Sequence, residues 1–168
     1  MRKKATVLFI CTHNSARSQM AEAYLNRLGV GRFEAQSAGT EPGTLKSLAV
    51  QVMAEEGIDI SGQRAKSVDD FVQEAFDYVI TVCDHANETC PVFPNARRRL
   101  HWSFPDPSRA EGTREERLAV FRQVRDGIRV RVEQFVARAT PGEQTGGGYQ
   151  RSARKKEKSD GYRTTVGI

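Results

Sequence analysis

Val7-Leu8-Phe9-Ile10-Cys11-Thr12-His13-Asn14-Ser15-Ala16-Arg17-Ser18 decides how this chain is read. A short β-branched and aromatic run, the pattern of a buried strand, delivers one cysteine into a loop that closes on an arginine six residues later. In a tight loop between strand and helix the backbone N–H groups point inward. The helix start adds the positive end of its dipole, and a guanidinium can hold two oxygens at once. Such a pocket suits a tetrahedral oxyanion, and its field favours the thiolate, the reactive form of cysteine. Cys11 is therefore expected to be both nucleophile and pocket floor. Thr12, His13, Asn14, Ser15, Ala16, Arg17 and Ser18 are expected to form the oxyanion-binding loop. Asn14 and Ser15 can cap the helix start, and Ser18 can donate to the sulfur. The plain alternative is a buried strand-end cysteine beside a surface arginine, which leaves this clustering of cap and donor residues without a purpose.

Outward from that loop, strand-like runs fall at residues 5–10, 33–37, 77–82 and 98–102. Helical spacing separates them. Met20, Tyr24 and Leu28 share one face of residues 18–28, and Leu45, Leu48, Val52 and Met53 one face of residues 44–56. Residues 68–75 suggest a shorter helix around Phe71. The last helix is the clearest, with Leu118, Phe121, Val124, Ile128, Val132 and Phe135 at steps of three and four. Alternating strands and helices predict an α/β fold, a small doubly wound parallel sheet of four strands with helices on both faces. Ligands of such folds bind at the carboxyl ends of the strands, where Cys11 falls.

At 168 residues, 38% hydrophobic and 28% charged, the chain has the composition of one ordinary domain able to bury a core. Arg2-Lys3-Lys4 ahead of an apolar run imitates a secretion signal, but His13, Asn14 and Arg17 interrupt it and no small-residue cleavage site follows. No membrane span is expected, and the odd count of three cysteines fits a reducing, cytoplasmic setting better than a disulfide framework. Of the net charge of +5, residues 141–168 supply +3, from six Lys or Arg against three Asp or Glu. We divide the chain into a domain over residues 1–138 and a basic, flexible tail over 139–168. A solubilising tail is a plainer reading than a nucleic-acid-binding one.

The second constellation is Cys83 and Cys90, seven positions apart just after the third strand, with Pro91 following. Zinc would need a fourth ligand and ordinarily a closer pair, so no metal site is assigned. Two inert buried thiols are one reading, a relay of thiols with Cys11 the other. A helix between them would hold their Cα atoms about 10 Å apart, beyond the roughly 7 Å reach of a disulfide, so pairing requires a loop or local unwinding. Asp84, Asn87 and Pro91 favour loops and helix ends. The third constellation is Phe104-Pro105-Asp106-Pro107. Prolines on either side fix a carboxyl that could protonate a leaving oxygen, though a rigid turn alone would look the same. Trp102 is expected in the core or on the pocket rim.

Together, Cys11 to Ser18, the Cys83/Cys90 pair and Asp106-Pro107 resemble the low-molecular-weight protein tyrosine phosphatase fold and, within it, the thioredoxin-coupled arsenate reductases. The resemblance implies arsenate reduction with Cys11, Cys83, Cys90, Arg17 and Asp106 as catalytic residues. Cys11 would attack arsenic, Arg17 would bracket the oxygens, and Asp106 would protonate the departing oxygen. Cys83 and then Cys90 would carry the disulfide to reduced thioredoxin, with glutaredoxin as the other possible donor. It further implies a monomer without tightly bound cofactor, phosphate or sulfate as competing anions, and weak phosphatase activity. Some members of the resembling group carry potassium near the anion loop. Asn14, Glu22 and Ser37 match that site, but Lys66 stands where an acidic residue is expected, which argues against potassium. Ser108 stands where the phosphatase branch tends to carry tyrosine, which weakens a phosphotyrosine reading. The rival readings are a low-molecular-weight phosphatase using Cys11, Arg17 and Asp106, and a thiol redox sensor that turns over nothing.

Overall fold

The computed structural model describes residues 3–139, so the expected tail lies outside them apart from Ala139. Four parallel strands, β1 (Ala5–Cys11), β2 (Phe33–Gly39), β3 (Tyr78–Thr81) and β4 (Arg98–His101), stand in the order β2-β1-β3-β4. The helices are α1 (Arg17–Leu28), α2 (Ser47–Glu55), α3 (Asp84–Thr89) and α4 (Arg114–Arg138). β1 is central because Val7 to Ile10 are apolar on both sides of the pleat and wholly buried. The chain winds outward from β1 in both directions. Right-handed crossovers in opposite directions put the α1 and α3 connections on opposite faces, and ligand sites form where the order reverses. That point lies between β1 and β3. Ile10 pairs with Thr81 there, which brings the segments after both strands side by side.

The core spans the sheet and α4. Phe9 packs on Trp102, and Phe135 of α4 lies against Phe33, Tyr78 and Trp102 with ring centroids 5.0–5.6 Å apart. Trp102 is thus core, not rim. Leu118, Phe121, Val124, Ile128 and Val132 are buried and Phe135 partly so, as the spacing requires. In α1, Met20 and Tyr24 are buried, but Leu28 is 39% exposed and Leu25 is buried in its place. The expected helix over 68–75 is only a 3-10 turn at Val68–Asp70, where Ser67 Oγ accepts from Asp69 N and the Phe71 and Phe76 rings meet as the chain turns back. α2 begins later than expected because residues 40–46 run along the loop after β1.

Candidate functional site

Residues 40–46 give the loop after β1 its inward-facing amides. The N–H groups of Thr40, Glu41, Gly43 and Lys46 donate to the carbonyls of Cys11, Thr12, His13 and Ser15, and Gln19 Nε2 takes the carbonyl of Asn14. With successive carbonyls drawn outward, the N–H side of these peptides turns toward the hollow above Cys11. Two backbone features permit the curl. Asn14 sits at φ 50°, a left-handed conformation that asparagine tolerates better than most residues. Gly39 ends β2 against the loop, where a Cβ would lie 2.7 Å from the Thr12 carbonyl oxygen. α1 then starts without a side-chain cap and without an acidic residue in its first turn. The expected capping by Asn14 and Ser15 is therefore corrected: Ser15 lines the hollow, and Asn14 turns inward beneath it. An uncapped helix start aimed at a hollow is suited to an anion.

The nucleophile's surroundings are fixed by a buried polar chain. Cys11 is 2% exposed, with Ser18 Oγ 2.9 Å and Asn14 N 3.2 Å from its sulfur. Asn14 Nδ2 donates to Ser18 Oγ at 2.7 Å, which leaves the serine hydrogen free to point at the sulfur when the sulfur is a thiolate. Asn14 Oδ1 in turn accepts from Lys66 N and Gln19 Nε2. Both groups that reach Cys11 can donate, and donors stabilise a sulfur that carries charge.

Arg17 is buried along its length, with Nη1 donating to the Phe104 carbonyl at 3.1 Å and Nη2 3.8 Å from Asp106 Oδ2. Asp106 is held from the other side by Ser108 N, which donates to its Oδ1 at 3.0 Å. Cys11, His13, Ser15, Ala16, Arg17 and Asp106 share one cavity of about 240 Å³ with Lys46, Ser108 and Arg109. Lys46 and Arg109 were not singled out from sequence, whereas Ser108 was, as the residue in place of a tyrosine. Arg109 had a readable signal, lying three residues after Asp106 in a 3-10 turn at Pro107–Arg109, with Nε 3.9 Å from Asp106 Oδ2. Lys46 had none, because its place depends on how residues 40–46 follow the loop. Thr12, Asn14 and Ser18 are loop residues that do not line the cavity.

Thr12 faces the second thiol instead, with Oγ1 3.4 Å from Cys83 Sγ. Cys83 is buried and caps α3, its sulfur accepting from Ala86 N at 3.4 Å. Cys90 ends the same helix, half-buried. Burial pushes the Cys90 thiol up from its ordinary range, with Arg99 pulling the other way. All three cysteines are free. The sheet brings Cys83 beside the Cys11 loop, whereas the α3 helix holds Cys90 at its far end, so a Cys83–Cys90 bond requires α3 to unwind.

The profile of the low molecular weight phosphotyrosine protein phosphatases matches residues 6–145. The chain belongs to that family. Its curated relatives include an arsenate reductase of Halalkalibacterium halodurans, 44% identical over 132 residues, covering 79% of this chain and 95% of the relative. The arsenate reductase of Bacillus subtilis is 43% identical over 129 residues, covering 77% and 93%. Among solved structures, an arsenate reductase in the phosphate binding state superposes with a TM-score of 0.70 at 34% identity, covering 81% of this chain and 99% of that one. A thioredoxin-dependent arsenate reductase of Corynebacterium glutamicum gives 0.62 at 30% identity, covering 79% and 60%.

For a phosphatase-family chain, the remaining question at this loop is potassium. Two of the oxygens that would face it receive protein donors. Glu22 Oε2 accepts from Ser37 Oγ and from Gln63 Nε2 at 2.8 Å, and Asn14 Oδ1 receives two N–H groups. Burial raises the Glu22 carboxyl above its ordinary range, and the Lys66 ammonium is the largest influence pulling it back down.

Proposed function

We propose that this phosphatase-family chain reduces arsenate to arsenite with three thiols and takes its electrons from thioredoxin. The observation that carries the reading is the second thiol: Cys83 Sγ lies 3.4 Å from the hydroxyl of Thr12, the residue after the nucleophile. Hydrolysis of a phosphate ester needs only the first thiol, whereas reduction of arsenate needs a second within reach of it. Support for the substrate comes from the arsenate reductases among its relatives, and support for the donor from the thioredoxin-dependent enzyme of Corynebacterium glutamicum.

Arsenate enters the 240 Å³ cavity, where the loop amides and Arg17 bind its oxygens. Lys46 and Arg109 at the rim add positive charge that draws an anion inward. The Cys11 thiolate attacks arsenic, an S–As bond forms, and one oxygen leaves as water with a proton from Asp106. Cys83 as thiolate then attacks the Cys11 sulfur. An S–S bond forms, the S–As bond breaks, and its electron pair stays on arsenic, which falls from the +5 to the +3 state and departs as arsenite. Cys90 attacks Cys83, freeing the Cys11 thiolate and moving the disulfide to Cys83–Cys90. A dithiol of thioredoxin reduces that bond by the same exchange. Each thiol has one task.

The first half of this sequence is phosphatase chemistry, so slow hydrolysis of aryl phosphates accompanies it, with Ser108 offering no aromatic ring to a phosphotyrosine. Phosphate and sulfate compete. No helix among the described residues is long and apolar enough to cross a membrane, and the reading is of a cytoplasmic monomer. The deciding experiment supplies arsenate, thioredoxin, thioredoxin reductase and reduced nicotinamide cofactor, with a parallel arm using glutaredoxin. Arsenate-dependent cofactor oxidation faster than aryl-phosphate hydrolysis is expected. Hydrolysis without arsenate-dependent oxidation would return the chain to the phosphatase reading, and no turnover of either kind to the sensor.

A further inference from the structure

α3 has six residues, far too few for a helix to persist on its own. Ala86 buries itself beneath it, the helix lies against β1 and β3, and polar side chains of β3 and β4 tie it down. His101 Nε2 is 2.8 Å from Asp84 Oδ1 in the first turn of α3, and its Nδ1 is 2.8 Å from Thr81 Oγ1. Thr81 Oγ1 also lies 3.2 Å from Asn87 Oδ1, in the middle of the helix. Arg99, two residues before His101 and on the same side of β4, donates from Nη2 to the Asn87 carbonyl at 3.2 Å. Asp84 answers to this contact, its carboxyl held below the ordinary range chiefly by the bond from His101 and then by one from Ser103. His101 therefore joins strand to helix between the two thiols that must meet.

We propose that His101 is a positioning residue for the thiol relay, holding α3 wound while Cys83 and Cys90 are reduced and so opposing their disulfide. The idea rests on the relay described above. Unwinding, which the disulfide requires, separates Asn87 from Thr81 and Arg99 and pulls Asp84 off His101. The first disulfide prepares the release, since a Cys83 sulfur bonded to Cys11 no longer caps α3 through Ala86 N. His101 thereby keeps Cys90 away from Cys83 until Cys83 has been oxidised, which guards against an early, unproductive Cys83–Cys90 bond.

The test measures the Cys83–Cys90 couple in full-length Cys11→Ser protein, where those are the two remaining cysteines, in a glutathione redox buffer. One glutathione disulfide becomes two thiols as Cys83 and Cys90 become one disulfide, and alkylation followed by mass spectrometry counts each form. Adding His101→Ala should shift the equilibrium toward disulfide about fivefold, which is about 20 mV for a two-electron couple. Asp84→Ala, which removes the same contact from an exposed side chain, should shift it in the same direction and serves if His101→Ala does not fold. A merely structural histidine would lower the unfolding midpoint of both forms alike and leave the equilibrium constant unmoved. A change below twofold in every variant that folds overturns the proposal. Failure of the relay itself would be separate: arsenate turnover with no disulfide detected in the wild-type protein, whatever the glutathione equilibrium shows.

Discussion

Ser18→Ala is the most searching single change to the anion loop. Ser18 is fully buried, its hydroxyl lies 2.9 Å from the Cys11 sulfur, and it receives Asn14 Nδ2 at 2.7 Å. Alanine deletes a donor to the sulfur where charge resides before attack. A hydrogen bond to a charged group is worth about 1.5–3 kcal/mol, which translates to roughly a ten- to hundredfold loss in kcat/KM for arsenate. The same change leaves Asn14 Nδ2 without its acceptor in a dry site, at about 1–3 kcal/mol of stability. For a domain of this size that lowers Tm by roughly 3–5 °C per kcal/mol. The assay is arsenate-dependent cofactor oxidation at low arsenate, with a thermal melt on the same sample. A folded Ser18→Ala protein with kcat/KM within threefold of wild type would refute the idea that this hydroxyl sustains the nucleophile.

Four further outcomes are expected. Arg17→Lys keeps the charge but loses the planar fork and its bond to the Phe104 carbonyl, so kcat/KM for arsenate should fall roughly a hundredfold and phosphate should inhibit less well, read by competition kinetics. Replacing potassium by choline should change turnover less than twofold, a large potassium requirement being the contrary result. Lys66→Ala should weaken the fold at pH 7 but hardly at pH 4: the Glu22 carboxyl is raised in the folded state, so the burden of its charge is absent while it is protonated and appears as pH rises through its folded value, which losing Lys66 raises further. Stopped-flow exchange should show the Cys90 step speeding up with pH, up to about tenfold per unit, because burial holds that thiol above its ordinary range and the thiolate is the attacker.

Much of this site was legible because it is local in sequence. Cys11, Asn14, Arg17 and Ser18 belong to one turn of chain, and a strand running into a helix start dictates their convergence. The parallel sheet followed equally from short apolar runs alternating with helical spacing, and the place of Cys83 followed from the rule that sites gather where strand order reverses. The failures have a common cause. The helix start went uncapped because Asn14 was recruited by Ser18, Gln19 and Lys66, two of its partners being side chains nearby and one the backbone of a segment far along the chain. Lys46 reached the rim, and α2 was shortened, by residues 40–46 tying off the loop carbonyls. His101 carried no spacing to a second ligand, and its role depends on β4 lying beside α3. Contacts between segments distant in sequence leave little local mark, and polar side chains that serve them look like ordinary surface residues.

The most direct measurement of the central claim is one round of arsenate reduction by Cys90→Ser protein without thioredoxin, followed by rapid acid quench, alkylation and mass spectrometry. The three-thiol relay gives one equivalent of arsenite per chain and a Cys11–Cys83 disulfide. Arsenite released with both Cys11 and Cys83 still open to alkylation, or catalytic turnover that continues past one equivalent, would contradict it.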